Sequence, residues 1–115
     1  MAYGVRAKFE ALRQLGFAGI GAAYAACGAA TTDHTRLFII FNATDKEVYV
    51  STTPSQNEIS LPSGVGVTID VTANKIRDDG LFFQKGTIFY LKQGDAGAPA
   101  SGKVTITAMA ADGGI

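Results

Sequence analysis

Five consecutive apolar residues, Leu37-Phe38-Ile39-Ile40-Phe41, constrain this chain more than any other stretch. A strand points successive side chains to opposite faces, so one with a wet side is apolar only at every second position. A run apolar at every position predicts a strand covered on both faces. The polar turn Asn42-Ala43-Thr44-Asp45-Lys46-Glu47 follows, and after it a second short run, Val48-Tyr49-Val50. β-Branched and aromatic residues on both arms, with Asn and Asp between them, read as two strands joined by a tight connection. This pair is expected to be the first hairpin of the core.

Strand signals continue downstream. Ile59-Ser60-Leu61 is a short strand closed by Pro62-Ser63-Gly64. Val65, Val67, Ile69 and Val71 then alternate with Gly66, Thr68, Asp70 and Thr72, which predicts one face in the core and one in water. Leu81-Phe82-Phe83, a Lys85-Gly86 turn and the run Thr87-Ile88-Phe89-Tyr90-Leu91-Lys92 give the next strand signals. Val104, Ile106, Ala108 and Ala110 alternate with Lys103, Thr105, Thr107 and Met109 to make the last strand. Turn residues separate these segments, and no internal repeat is visible. The expected fold is all-β, an antiparallel β-sandwich or barrel of six to seven strands.

The N-terminal third reads differently. Val5, Phe9, Leu12 and Leu15 recur at spacings of four, three and three, and Gly16 ends the pattern. A helix of about three turns is marginal in water unless it packs on something. We therefore expect a short helix or extended arm over residues 1–14, docked on the domain or a neighbouring subunit, with the β-domain over 15–115. Residues 14–32 carry no charge. They are mostly Gly and Ala, which add too little transfer energy for a transmembrane helix. Alternation of Ile20, Ala22, Tyr24 and Ala26 with small residues reads as a glycine-broken edge strand. Basic residues followed by an apolar stretch and Cys27 also admit a secretory or lipoprotein signal.

At 115 residues the chain has room for one core, and it buries about 65% of its unfolded surface without needing metal or disulfide staples. Ten basic and ten acidic residues cancel without forming a block. An even, neutral surface argues against nucleic acid, which requires a basic stripe, and supplies no attraction to an anionic membrane. Only 17% of residues are charged, few for a small free monomer, so a partner is expected to cover part of the surface.

Cys27 is the only cysteine and His34 the only histidine. No disulfide, cysteine-rich zinc cage or signature-bearing nucleophile–base pair is expected from them. Asp78-Asp79 and Asp45/Glu47 stand in turns, where Asp bonds local backbone, and Asp95 joins them in no dedicated calcium-loop spacing. Gly16-Phe17-Ala18-Gly19-Ile20-Gly21 lacks the Walker lysine and the dinucleotide order of glycines. We expect no enzyme, metal or cofactor.

Several segments together resemble a known group. They are Arg36-Leu37-Phe38-Ile39-Ile40-Phe41-Asn42-Ala43-Thr44-Asp45, Val48-Tyr49-Val50-Ser51, and Ile59-Ser60-Leu61-Pro62-Ser63-Gly64 leading into Asp70-Val71-Thr72-Ala73-Asn74-Lys75. Leu81-Phe82-Phe83-Gln84-Lys85-Gly86-Thr87-Ile88-Phe89-Tyr90 leading to Ser101-Gly102-Lys103-Val104 completes the set. Over residues 12–110 the order resembles small β-sandwich virion structural proteins of tailed bacteriophages. That group has an Asn-x-Thr-Asp…Tyr-x-Ser hairpin, a Leu-Pro-x-Gly turn and a Lys-Gly-Thr-x-Tyr-like strand. This chain departs in its longer loop 52–58.

The resemblance implies a non-enzymatic part of a phage particle, made in the host bacterial cytoplasm and residing in the virion. Its role would be capsid decoration, a collar or the head-to-tail junction, in symmetric copies as a homo-oligomer. Its partners would be the major capsid protein, a portal or connector, or tail proteins. The assembly interface is expected at Val5, Phe9, Leu12, Leu15, Phe17, Ile20 and Tyr24, with loops 52–58 and 94–101 as partner-facing tips. The rival is a secreted or lipid-anchored envelope β-sandwich binding module acylated at Cys27. A third reading is a carbohydrate-binding sandwich using Tyr49 and Tyr90.

Overall fold

The computed structural model describes residues 6–70 and 83–112. Within them two antiparallel sheets face each other, so the all-β sandwich is the architecture, with nine strands where six or seven were expected. The surplus comes from the N-terminal third. Of the expected helix or extended arm, the described part is extended and docked on β9, as β1 (Arg6–Phe9) and β2 (Arg13–Gly16). A 3₁₀ turn at Phe17–Gly19 follows, and the glycine-broken edge strand is reduced to the two-residue β3 (Ala25–Ala26). The remaining strands are β4 (Thr35–Asn42), β5 (Val48–Ser51), β6 (Ile59–Leu61), β7 (Gly66–Asp70), β8 (Tyr90–Gln93) and β9 (Lys103–Asp112).

In the first sheet β9 is flanked on one side by β4, which pairs with β7, and on the other by β1 and β2 in succession. The second sheet runs β3-β8-β5-β6. Between the sheets lie Phe38, Ile40, Val104, Ile106 and Ala108 from one side and Val48, Val50, Leu61, Phe89 and Leu91 from the other, all buried. Phe38 meets the edges of Phe83 and Phe89 at ring-centroid distances of 5.1 and 4.6 Å, the geometry the aromatic quadrupole favours.

β4 and β5 belong to different sheets, which corrects the expected hairpin. Residues 43–47 form an arch that carries the chain from one layer to the other. Residues 62–65 carry it back from β6 to β7, and residues 94–102 cross once more from β8 to β9. Asn42 binds these crossings together. Its side-chain amide donates to the carbonyls of Lys46 (2.9 Å) and Leu61 (2.8 Å) and accepts from the Thr44 amide (2.9 Å) and hydroxyl (2.6 Å). The Ser63 hydroxyl donates to the Thr44 carbonyl at 2.6 Å, and the Gly64 amide to the Asn42 carbonyl at 2.8 Å. Asp45 accepts the amides of Ala100 (2.8 Å) and Ser101 (3.3 Å), which hold its carboxyl below the usual carboxylate range. Gly102, at φ +87, lets the third crossing lie against Ala43 so closely that a Cβ would stand 2.1 Å from its carbonyl oxygen.

The N-terminal segment is held by a second anchor. Phe9 pairs with Met109 and Arg13 with Ile106, so residues 10–12 face only 107–108, a bulge in the edge strand. Arg13 turns inward there and is 9% exposed. Its guanidinium donates to Glu10 (2.7 Å) and to the carbonyls of Ala11, Ala29 and Ala30 (2.9, 2.7 and 3.0 Å). Glu10 also accepts the amides of Thr32 (3.2 Å) and Asp33 (3.1 Å). Burial raises its carboxyl pKa, but these amides and Arg13 outweigh burial and lower it on balance.

The alternation over 65–72 survives in part. Val67 and Ile69 pack against the core, Val65 is 42% exposed, and Val71 and Thr72 lie outside the described residues. The expected strand over 87–92 begins later, at Tyr90, with the Cys27 amide donating to the Phe89 carbonyl just before it at 2.8 Å.

Candidate docking face

The outer face of the first sheet carries several of the exposed large apolar side chains among the described residues. Alternation along β4 turns Phe38 and Ile40 inward, and therefore Leu37, Ile39 and Phe41 outward. Register places Phe9, Met109, Leu37 and Asp70 in one row across the sheet. Thr107, Ile39 and Thr68 form the next, and Gln14, Thr105, Phe41 and Gly66 the third. Exposure is 63% at Phe9, 58% at Leu12, 40% at Ile39 and 41% at Phe41. The Phe41 ring leans over Gly66, whose absent side chain leaves it room: a Cβ there would sit 3.1 Å from Cδ1. The face is a continuous apolar band crossed by threonines.

The charge of this face is sparse. From the Lys103 end to the Met109 end, its outward positions carry Lys103, which donates to Gln14 at 2.9 Å, and Asp70. Glu10 and Arg13 neutralise each other on the inner side of the bulge. An apolar, nearly uncharged sheet face is suited to shedding water against another protein surface.

The expected interface residues are distributed unevenly. Phe9 and Leu12 are open, and Phe17 is 40% exposed in the 3₁₀ turn. Leu15 packs against the core and Ile20, at 3%, lies inside it. Tyr24 is on the second sheet's side, its hydroxyl donating to Asn57 and its ring 5.5 Å from the Lys92 ammonium. Val5 lies outside the described residues. Sequence reasoning placed no interface at Leu37, Ile39, Phe41 or Met109. The signal lies in the unbroken apolar run of β4, which the sequence pattern assigns to cover on both faces.

No protein-family model, curated protein or solved structure matches the chain.

Cys27 and His34 sit in separate surroundings. Burial pushes the Cys27 thiol up to about 11, partly offset by Arg13, so it is no thiolate at neutral pH. His34 is exposed and accepts the Lys85 amide at 3.0 Å on Nδ1. Among the described residues no three His, Cys, Asp or Glu side chains gather as a metal set, and Asp78 and Asp79 lie outside them. Tyr49 and Tyr90 are half-buried on the second sheet's outer side. The Asp95 carboxylate accepts the Tyr49 hydroxyl and raises its pKa. Loop 52–58 is organised by Glu58, which accepts the Thr52 amide and hydroxyl, each at 2.8 Å. No helix among the described residues is long and apolar enough to cross a membrane.

Proposed function

We propose that the chain is a non-enzymatic structural protein of a bacteriophage particle. It assembles in symmetric copies on the capsid or at the head-to-tail junction, in a decoration or collar role. The observation that carries this reading is the open apolar band of Phe9, Ile39 and Phe41, with the exposed Leu12 of the bulge nearby, a surface suited to another protein surface. The resemblance adds support, because the residues that carry it, Asn42–Asp45 and Leu61–Gly64, build the crossings that hold the two sheets together. Its docking partners are other virion proteins: the major capsid protein, a portal or connector, or tail proteins.

A lipid-anchored envelope module is the less favoured reading. Cleavage before Cys27 would remove β1 and β2 from the edge of β9 and take Ile20 from the core. Mass spectrometry and electron microscopy of purified particles of the phage that encodes the chain test the proposal. Stoichiometric copies at one symmetric location are expected. Particles that lack the chain overturn it.

A further inference from the structure

β4 has the sequence of a strand covered on both sides, yet among the described residues only its inner side is covered. Ile39 and Phe41 stay 40% and 41% exposed at the middle of a sheet, where β7 and β9 flank them and no loop of the described chain closes over them. Surface strands usually place polar residues at such positions.

We infer that two copies of this chain pair face to face through the first sheet, about a two-fold axis crossing β4 between Ile39 and Phe41. The inference goes beyond the virion reading and stands without it.

The first reason for choosing a second copy as the occupant is charge. Between the Met109 row and the Lys103 end, the outward charges are Asp70 on β7, which has an interaction within its own chain, and Lys103 at the start of β9, which donates to Gln14. They lie at opposite ends of the face on either side of β4. A two-fold axis midway between them exchanges the two ends, bringing Asp70 of each copy over Lys103 of the other. A surface docking on a differently charged partner has no need of this balance; an isologous one must complement itself. The same axis runs past Thr107, beside Ile39, so the centre of the contact is apolar and neutral.

Area is the second reason. Four strand positions at about 4.8 Å and seven residues at about 3.4 Å give a planar footprint of about 450 Å² per copy. Two such faces, with side-chain relief included, reach about 1,000 Å², the lower bound for a specific pair. Phe9 at one margin is the most exposed large apolar side chain among the described residues and stands where an aromatic rim would seal the contact.

Sedimentation of the full chain over roughly a hundredfold concentration range reads the association directly, since dimerisation follows mass action. The expected result is a monomer–dimer equilibrium. Two variants leave the inner face untouched. I39T/F41T keeps β-branched residues on the strand, and T107K sets two like charges together at the axis. Each should weaken the pair at least tenfold while far-UV circular dichroism stays native. A monomer at every concentration overturns the inference, as does self-association that neither variant weakens. Pairing only with another virion protein also overturns it but leaves the particle reading intact. Absence of the chain from particles leaves the dimer result untouched.

Discussion

Replacing Asn42 tests whether one side chain holds the crossings together. Asn42 is fully buried, and its amide supplies two donors and one shared acceptor. In Asn42→Ala the Thr44 amide loses its acceptor, which costs about 1–3 kcal/mol when the group is buried. The Lys46 carbonyl keeps the Thr44 hydroxyl, and the Leu61 carbonyl loses its side-chain donor. Together the losses come to about 3 kcal/mol, a large share of the roughly 5–15 kcal/mol a domain has. For this size the midpoint of thermal unfolding should fall by about 12 °C.

Asn42→Asp, nearly the same shape, separates hydrogen bonding from packing. Its second oxygen would face the two carbonyls that Asn42 donates to, in a fully buried site. The carboxylate is then disfavoured and its folded-state pKa raised. A raised carboxyl pKa penalises the fold above that value, and the penalty fades as pH falls through it. Urea denaturation between pH 8 and pH 5 should therefore show Asn42→Asp recovering toward wild type as the solution is acidified. A loss below about 1 kcal/mol for Asn42→Ala, or an Asn42→Asp deficit independent of pH, would refute the role given to this side chain.

The bulge anchor makes a different pH prediction. Glu10 has a lowered carboxyl pKa, so its contribution is present above the ordinary carboxylate range and is lost as pH falls through the folded value. Arg13→Ala should cost about 3 kcal/mol at pH 7 and flatten the acid limb of the stability curve, both measured by urea titration. Gly102→Ala forces a Cβ against the Ala43 carbonyl at a positive φ and should lose about 3 kcal/mol or more, read by thermal unfolding. Cys27, buried and with its pKa near 11, should react with an aromatic disulfide reagent only as fast as the chain opens, and at once in denaturant. Along β4 the two faces should separate cleanly in denaturant titrations. Ile40→Thr should cost about 2–3 kcal/mol, whereas Ile39→Thr should shift the monomer by about 0.5 kcal/mol or less.

The parts of the fold legible in the sequence are those fixed by local alternation. β9 follows its pattern residue for residue, with Val104, Ile106, Ala108 and Ala110 inside. β6 lies where Ile59-Ser60-Leu61 placed it. The sequence leaves helix and extended arm both open for the N-terminal segment because the bulge at 10–12 adds one residue to an edge strand and breaks its period of two. Phe9, Leu12 and Leu15 then fall at helix-like spacing. The arch at 43–47 read as a hairpin because Asn and Asp serve both kinds of turn, and a connection between sheets is a property of tertiary packing. Val48 pairs with Leu61 and Gln93, partners that no local pattern specifies.

The run at 37–41 shows how one signal can be read correctly and assigned to the wrong object. Apolar residues at every position do indicate cover on both sides of a strand. In the described chain the second sheet covers only one side, and the β4 residues on the other remain open. Core stability explains Phe38 and Ile40, which are fully enclosed, and Phe41 gains a little by resting over Gly66. It does not explain Ile39, whose neighbours Thr68 and Thr107 show that the same rows accept polar residues on adjacent strands. On the face-to-face pair inferred above, isoleucine, phenylalanine and leucine along the central strand find their second cover in the other copy. β4 would then belong to two cores, one within the chain and one formed on assembly.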